Sequence, residues 1–187
     1  MPSAFGLPIK AIDRYVAPPV MTLLTTLKAS TSTSLSFTGF SSKSYKHYQL
    51  IINSLIPSAD ASVQVYGSID SGVSYASNWQ RSQQFLSDAA AWSTSQGLST
   101  AQLTVSQKVE AANYDSMQCS GVLNLFYSST SGIRPLLLGY VGSMQPEYTQ
   151  TTLSTGVFNN ATELNTLKFQ FDTGNILNGT IRIYGVS

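Results

Sequence analysis

The sequence predicts an all-β fold, an antiparallel β-sandwich of jelly-roll type. Three observations carry that expectation. Apolar residues recur with period two in short runs rich in β-branched and aromatic side chains. Turn-forming residues separate the runs. No segment holds a helical period over helix length, so nothing supplies the crossovers that parallel strands need. No fixed-period repeat suggests a propeller or solenoid.

Taken in order, residues 1–20 stand apart. They hold four of the seven prolines, Pro2, Pro8, Pro18 and Pro19. Proline fixes φ and removes a donor, so the segment reads as an extended N-terminal arm. Its apolar groups, Phe5, Leu7, Ile9, Ile12 and Tyr15, favour a tether that orders against a neighbouring subunit over a frayed end. Residues 21–187 form the β-sandwich domain. Leu35 and Phe37, then Tyr48, Leu50 and Ile52, then Val63 and Val65, alternate with polar or solvent-facing positions. Leu103 and Val105 continue the pattern. Cys119, Leu123 and Leu125 share a face, as do Leu167, Phe169 and Phe171, and Ile181 and Ile183. The wet faces are expected to be Ser, Thr, Gln and Asn. Residues 87–93 predict a helical turn or two. The expected total is eight to ten strands.

Composition narrows the function. Ten Lys and Arg against nine Asp and Glu leave a net charge of +1, and charged residues are only 10% of the chain. Serine and threonine number 29 and 18, so hydroxyls stand where charges usually do. Without a basic run, nucleic acid is not an expected partner. Apolar stretches such as residues 136–138 fall far short of the ~20 residues of a membrane helix, so membrane insertion is not expected. Residues 1–8 lack the pattern of a signal peptide. A single cysteine, Cys119, excludes a disulfide framework and reads as a small buried hydrophobe.

Candidate chemistry is sparse. Any Ser-His-Asp site must use His47, the one histidine, and no Gly-x-Ser-x-Gly elbow accompanies the chain's serines. His47 therefore reads as a polar strand residue. Asp60 and Asp70 bracket a strand and Glu110 lies near Asp115, but neither pair follows a calcium-loop pattern. No catalytic residue, metal site or cofactor is expected. Aromatic residues instead suggest binding. Trp79 and Trp92 flank the loop-like, polar stretch Arg81-Ser82-Gln83-Gln84. Trp79, Arg81 and Trp92 are the candidate residues for a glycan or protein partner.

Two segments carry a resemblance. Ser34-Leu35-Ser36-Phe37-Thr38-Gly39-Phe40 is followed by Tyr45-Lys46-His47-Tyr48-Gln49-Leu50-Ile51-Ile52. The last strand follows Gly174-Asn175-Ile176 and reads Gly179-Thr180-Ile181-Arg182-Ile183-Tyr184-Gly185. This pairing resembles a group of tailed-bacteriophage virion proteins, over both ends of the domain and not its middle. The resemblance implies a non-enzymatic virion structural protein, a capsid decoration (cement) or head-fibre subunit anchored by the arm. It also implies a homotrimer, the major capsid protein or other virion subunits as partners, and location in the virion. The alternative is a tail-fibre or tail-tip module that recognises host surface glycan. The C-terminal segment predicts Ile181 and Ile183 facing inward and Arg182 and Tyr184 outward. Gly179 would let the chain re-enter as a strand.

Overall fold

The computed structural model describes residues 20–41, 44–75, 78–87, 92–111, 117–127, 134–145, 149–160 and 163–187; for residue 92 it describes the backbone alone. Twelve strands occur among them, two more than the upper expectation. They are β1 (Met21–Lys28), β2 (Leu35–Thr38), β3 (His47–Pro57), β4 (Val63–Ser68), β5 (Trp79–Ser87) and β6 (Trp92–Thr100). The second half adds β7 (Leu103–Thr104), β8 (Cys119–Phe126), β9 (Leu136–Met144), β10 (Thr149–Phe158), β11 (Thr166–Phe171) and β12 (Ile176–Val186). Ser87 closes β5 and Trp92 opens β6, so the two ends of the stretch expected to form a helical turn are strand. Residues 88–91 of that stretch lie outside the described residues.

The strands form two antiparallel sheets packed as a sandwich. One has eight strands in the order β1-β12-β3-β8-β9-β10-β5-β6, and the other has four in the order β2-β11-β4-β7. The alternation read in the sequence sets what lies between them. Tyr48, Leu50 and Ile52 of β3, Leu123 and Leu125 of β8, and Ile181 and Ile183 of β12 are buried. They join Val63 and Val65 of β4 and Leu167, Phe169 and Phe171 of β11 in one core. Each such side chain contributes about 1.5–3 kcal/mol of transfer free energy. Arg182 is exposed and Tyr184 half-buried, as the C-terminal pattern predicts.

Gly179 sits where β12 slips register against β3, between Asn178 and Thr180. Its φ is +117°, and a Cβ there would lie 2.4 Å from the carbonyl oxygen of Ser54. Only glycine fits both constraints, so the bulge and the re-entry of the chain share one residue.

The other half of the large sheet is built differently. Inner positions of β5, β9 and β10 include Gln83, Ser143, Thr152 and Ser154, all buried. Facing them is β7 and the segment that follows it. The Gln83 amide donates to the Thr104 carbonyl, and Ser154 Oγ donates to the same oxygen at 3.0 Å. Thr152 Oγ1 accepts from Gln107 N at 3.2 Å, and Gln145 Nε2 donates to Lys108 O at 3.0 Å. A backbone without a full strand ladder thus meets its hydrogen-bonding needs through side chains of the opposite sheet.

Candidate interaction surfaces

The residues singled out from sequence divide by location. Phe5, Leu7, Ile9, Ile12 and Tyr15 lie outside the described residues. Trp79 does not stand on a loop. It is the first residue of β5, 0% exposed, with its ring 5.2 Å from Phe158 in an edge-on contact. The stretch from Arg81 to Gln84 is strand, paired with both β10 and β6. It looked like a loop because its inner positions are polar. Arg81 is half-buried and donates from Nη1 to Thr104 Oγ1 at 3.1 Å. Trp92 opens β6 opposite Leu86. The structure therefore does not gather Trp79, Arg81 and Trp92 into one solvent-facing site.

The other candidate chemistry has mundane surroundings. Cys119 is buried, and burial pushes its thiol up to about 12, so it holds its proton at neutral pH. His47 stacks on Phe126 with ring centroids 5.3 Å apart. Asp60 forms an ion pair with Lys108 at 2.9 Å, and Lys108 also reaches Glu110 at 3.2 Å. Asp70 accepts from Ser68 Oγ at 2.5 Å and from Ser74 N at 2.9 Å. The Ser68 and Ser74 hydroxyls hold its carboxyl down at about 2. These bonds close the loop after β4, where Ser71 has φ +61° and Gly72 +85°. Among the described residues, no group of three or more His, Cys, Asp or Glu is placed to hold a metal ion.

Two surfaces stand out in their place. On the outer face of the large sheet, Leu153, Tyr140, Val122 and Ile51 stand in one cross-strand row through β10, β9, β8 and β3. Val157, Leu136, Phe126 and His47 make a parallel row. Tyr140 is 55% exposed and Leu153 44%. The outer positions of these four strands contain no Asp, Glu, Lys or Arg. This corrects the expectation that the wet faces are Ser, Thr, Gln and Asn throughout. The apolar triplet Leu136-Leu137-Leu138 was the available signal: in a strand, its first and third residues must face opposite to its second.

The second surface is the outer face of the small sheet. Lys168 Nζ lies 4.6 Å from the ring centre of Tyr66 and 4.2 Å from that of Tyr75. Partial burial lowers the Lys168 pKa. Tyr66 donates its hydroxyl proton to Gln64 Oε1 at 2.7 Å, and Gln170 Nε2 donates back to the Tyr66 oxygen at 3.4 Å. The result is a polar, aromatic patch already tied together by its own contacts.

No family model, curated protein or solved structure matches the chain.

Proposed function

We propose that the protein is a non-enzymatic bacteriophage virion structural protein, a jelly-roll-type decoration or head-fibre subunit anchored by residues 1–20. One observation carries the reading: the outer face of β3, β8, β9 and β10, free of Asp, Glu, Lys and Arg and crossed by two largely apolar rows. A band of this kind on a rigid sheet suits packing against other protein surfaces, since burying it removes apolar area from water and desolvates no ion. The bacteriophage context comes from the resemblance of residues 34–52 and 174–185 to virion proteins. Quantitative mass spectrometry of purified particles tests it. Hundreds of copies per particle are expected for decoration and a handful for a fibre. Particles without the protein would overturn the reading.

A second reading, glycan recognition, draws on the Tyr66–Lys168–Tyr75 patch. Tyrosine faces and amide side chains are common partners of sugar rings and hydroxyls. In that reading Lys168→Ala frees both rings and changes glycan-array signal, whereas it leaves particle occupancy untouched.

A further inference from the structure

We propose that Asn178 is a self-modification site, at which the folded chain converts this asparagine to aspartate and isoaspartate through a cyclic imide. The site stands whether or not the protein belongs to a virion. Of nine asparagines, Asn178 alone is followed by glycine. The bulge imposes that glycine: a φ of +117° and the nearby Ser54 carbonyl leave no place for a side chain at position 179. A main-chain nitrogen that attacks the preceding side chain is normally shielded by the side chain of its own residue. Gly179 has none.

Local geometry brings the reacting groups together. The register of β12 on β3 passes from Asn178↔Ile56 to Thr180↔Asn53, so Gly179 has no partner residue on β3. Its N–H donates instead to Asn178 Oδ1 at 2.8 Å. The carbon Cγ is one bond beyond that oxygen, so the Gly179 nitrogen lies at most about 4 Å from it. Rotation about Cβ–Cγ swings the oxygen aside and leaves the carbon in place. The bond that satisfies the N–H of the bulge thus also holds nucleophile beside electrophile, as a fast intramolecular reaction requires.

Water can reach the site. Asn178 is exposed, and it lines a cavity of about 220 Å³ with Asn53, Ser54, Ile56, Gly179 and Thr180. Thr180 Oγ1 has no hydrogen-bond partner among the described residues. A polar, roomy space of this kind suits water.

Hydroxide removes the Gly179 amide proton, and the nitrogen bonds to Asn178 Cγ. The Cγ–Nδ2 bond breaks, and Nδ2 takes a proton from water and leaves as ammonia. Water then opens the imide. Cleavage at Cγ gives aspartate, and cleavage at the main-chain carbonyl gives isoaspartate, whose main chain is one methylene longer. The added atom falls between Leu177 and Gly179, whose carbonyls accept from Thr31 N at 3.1 Å and Ala29 N at 3.0 Å. Those two bonds are the ones the longer strand strains.

Incubation of the full chain at mildly alkaline pH, followed by peptide mass spectrometry, tests this. A gain of about 1 Da is expected at Asn178, with a rate that rises about tenfold per pH unit because the deprotonated amide attacks. Electron-transfer fragmentation should show both aspartate and isoaspartate there. The comparator is the same chain unfolded in guanidinium chloride, and the folded chain should react at Asn178 at least as fast. A slower reaction in the folded chain overturns the proposal, as does faster modification at any other asparagine. Asn178→Gln would need a six-membered ring, so this variant should stay unmodified at 178 with unchanged circular dichroism. Ammonia release from it at the rate of the unaltered chain overturns the assignment. In the aged unaltered chain, amide exchange should quicken at Ala29 and Thr31, and in Asn178→Gln treated alike it should not. Unchanged exchange in a fully modified chain overturns the strain placed on β1.

Discussion

An indole that is fully enclosed stabilises a fold and cannot stack on a ligand arriving from solvent. Trp79 is such a residue, against Phe158 and close to Gly156. Trp79→Ala is expected to cost about 3–5 kcal/mol, read as a fall in the midpoint of urea unfolding. Trp79→Phe should cost much less. It keeps most of the ring and removes an Nε1 that meets no acceptor among the described residues. Asp70 gives a pH-dependent counterpart. Its carboxyl falls from 3.8 to about 2 on folding, so its bonds to Ser68 and Ser74 stabilise fully above about pH 4. That stabilisation disappears as pH falls through the folded value. Asp70→Ala should lower the melting temperature by a few degrees at pH 7, and the gap from the unaltered protein should close near pH 2.

Strands were legible in the sequence where their inner positions are aliphatic or aromatic. β3, β4, β8, β11 and β12 have that character, and their apolar alternation names the buried face. β9 and β10 do not. The inner positions of β10 are Gln150, Thr152, Ser154, Gly156 and Phe158, while Leu153 and Val157 face out. The usual rule, applied there, would turn the strand inside out. β5 was missed as a strand for the same reason, since Gln83 occupies a core position. The polarity has a cause: those inner side chains bond to the backbone near β7, which no ladder fully satisfies. Gln83 is 2% exposed, so Gln83→Leu removes one donor to the Thr104 carbonyl. The expected cost is about 1–3 kcal/mol, measured by chemical denaturation. A gain in stability would show that Ser154 satisfies that oxygen alone. The candidate site was less legible than the fold. Trp79 and Arg81 drew notice by residue type, but partner surfaces depend on which strands stand side by side, and β3 lies far in sequence from β8, its neighbour in the sheet.

At the scale of the molecule, scarce charge is distributed unevenly. The outer faces of the four central strands of the large sheet have no Asp, Glu, Lys or Arg, whereas Lys28 and Arg182 stand on β1 and β12. Tyr140→Lys combined with Leu153→Glu should leave the melting temperature nearly unchanged, because both side chains are about half exposed and the two charges, directly opposite across the strands, are of opposite sign. The same pair should reduce occupancy on particles at least tenfold, read by mass spectrometry. Full occupancy would separate the band from assembly. One further consequence follows from the pairing of β1 with β12. Val20 and Ser187 lie side by side, with Ser187 N donating to Val20 O at 3.3 Å, and seven residue pairs continue the ladder to Lys28 and Thr180. A force that drew those two residues apart would peel the ladder from one end, one rung at a time, and would need little strength. A force applied at Val20 and directed along β1 would instead load every rung in shear at once. The same joint is therefore weak to peeling and strong to traction along β1.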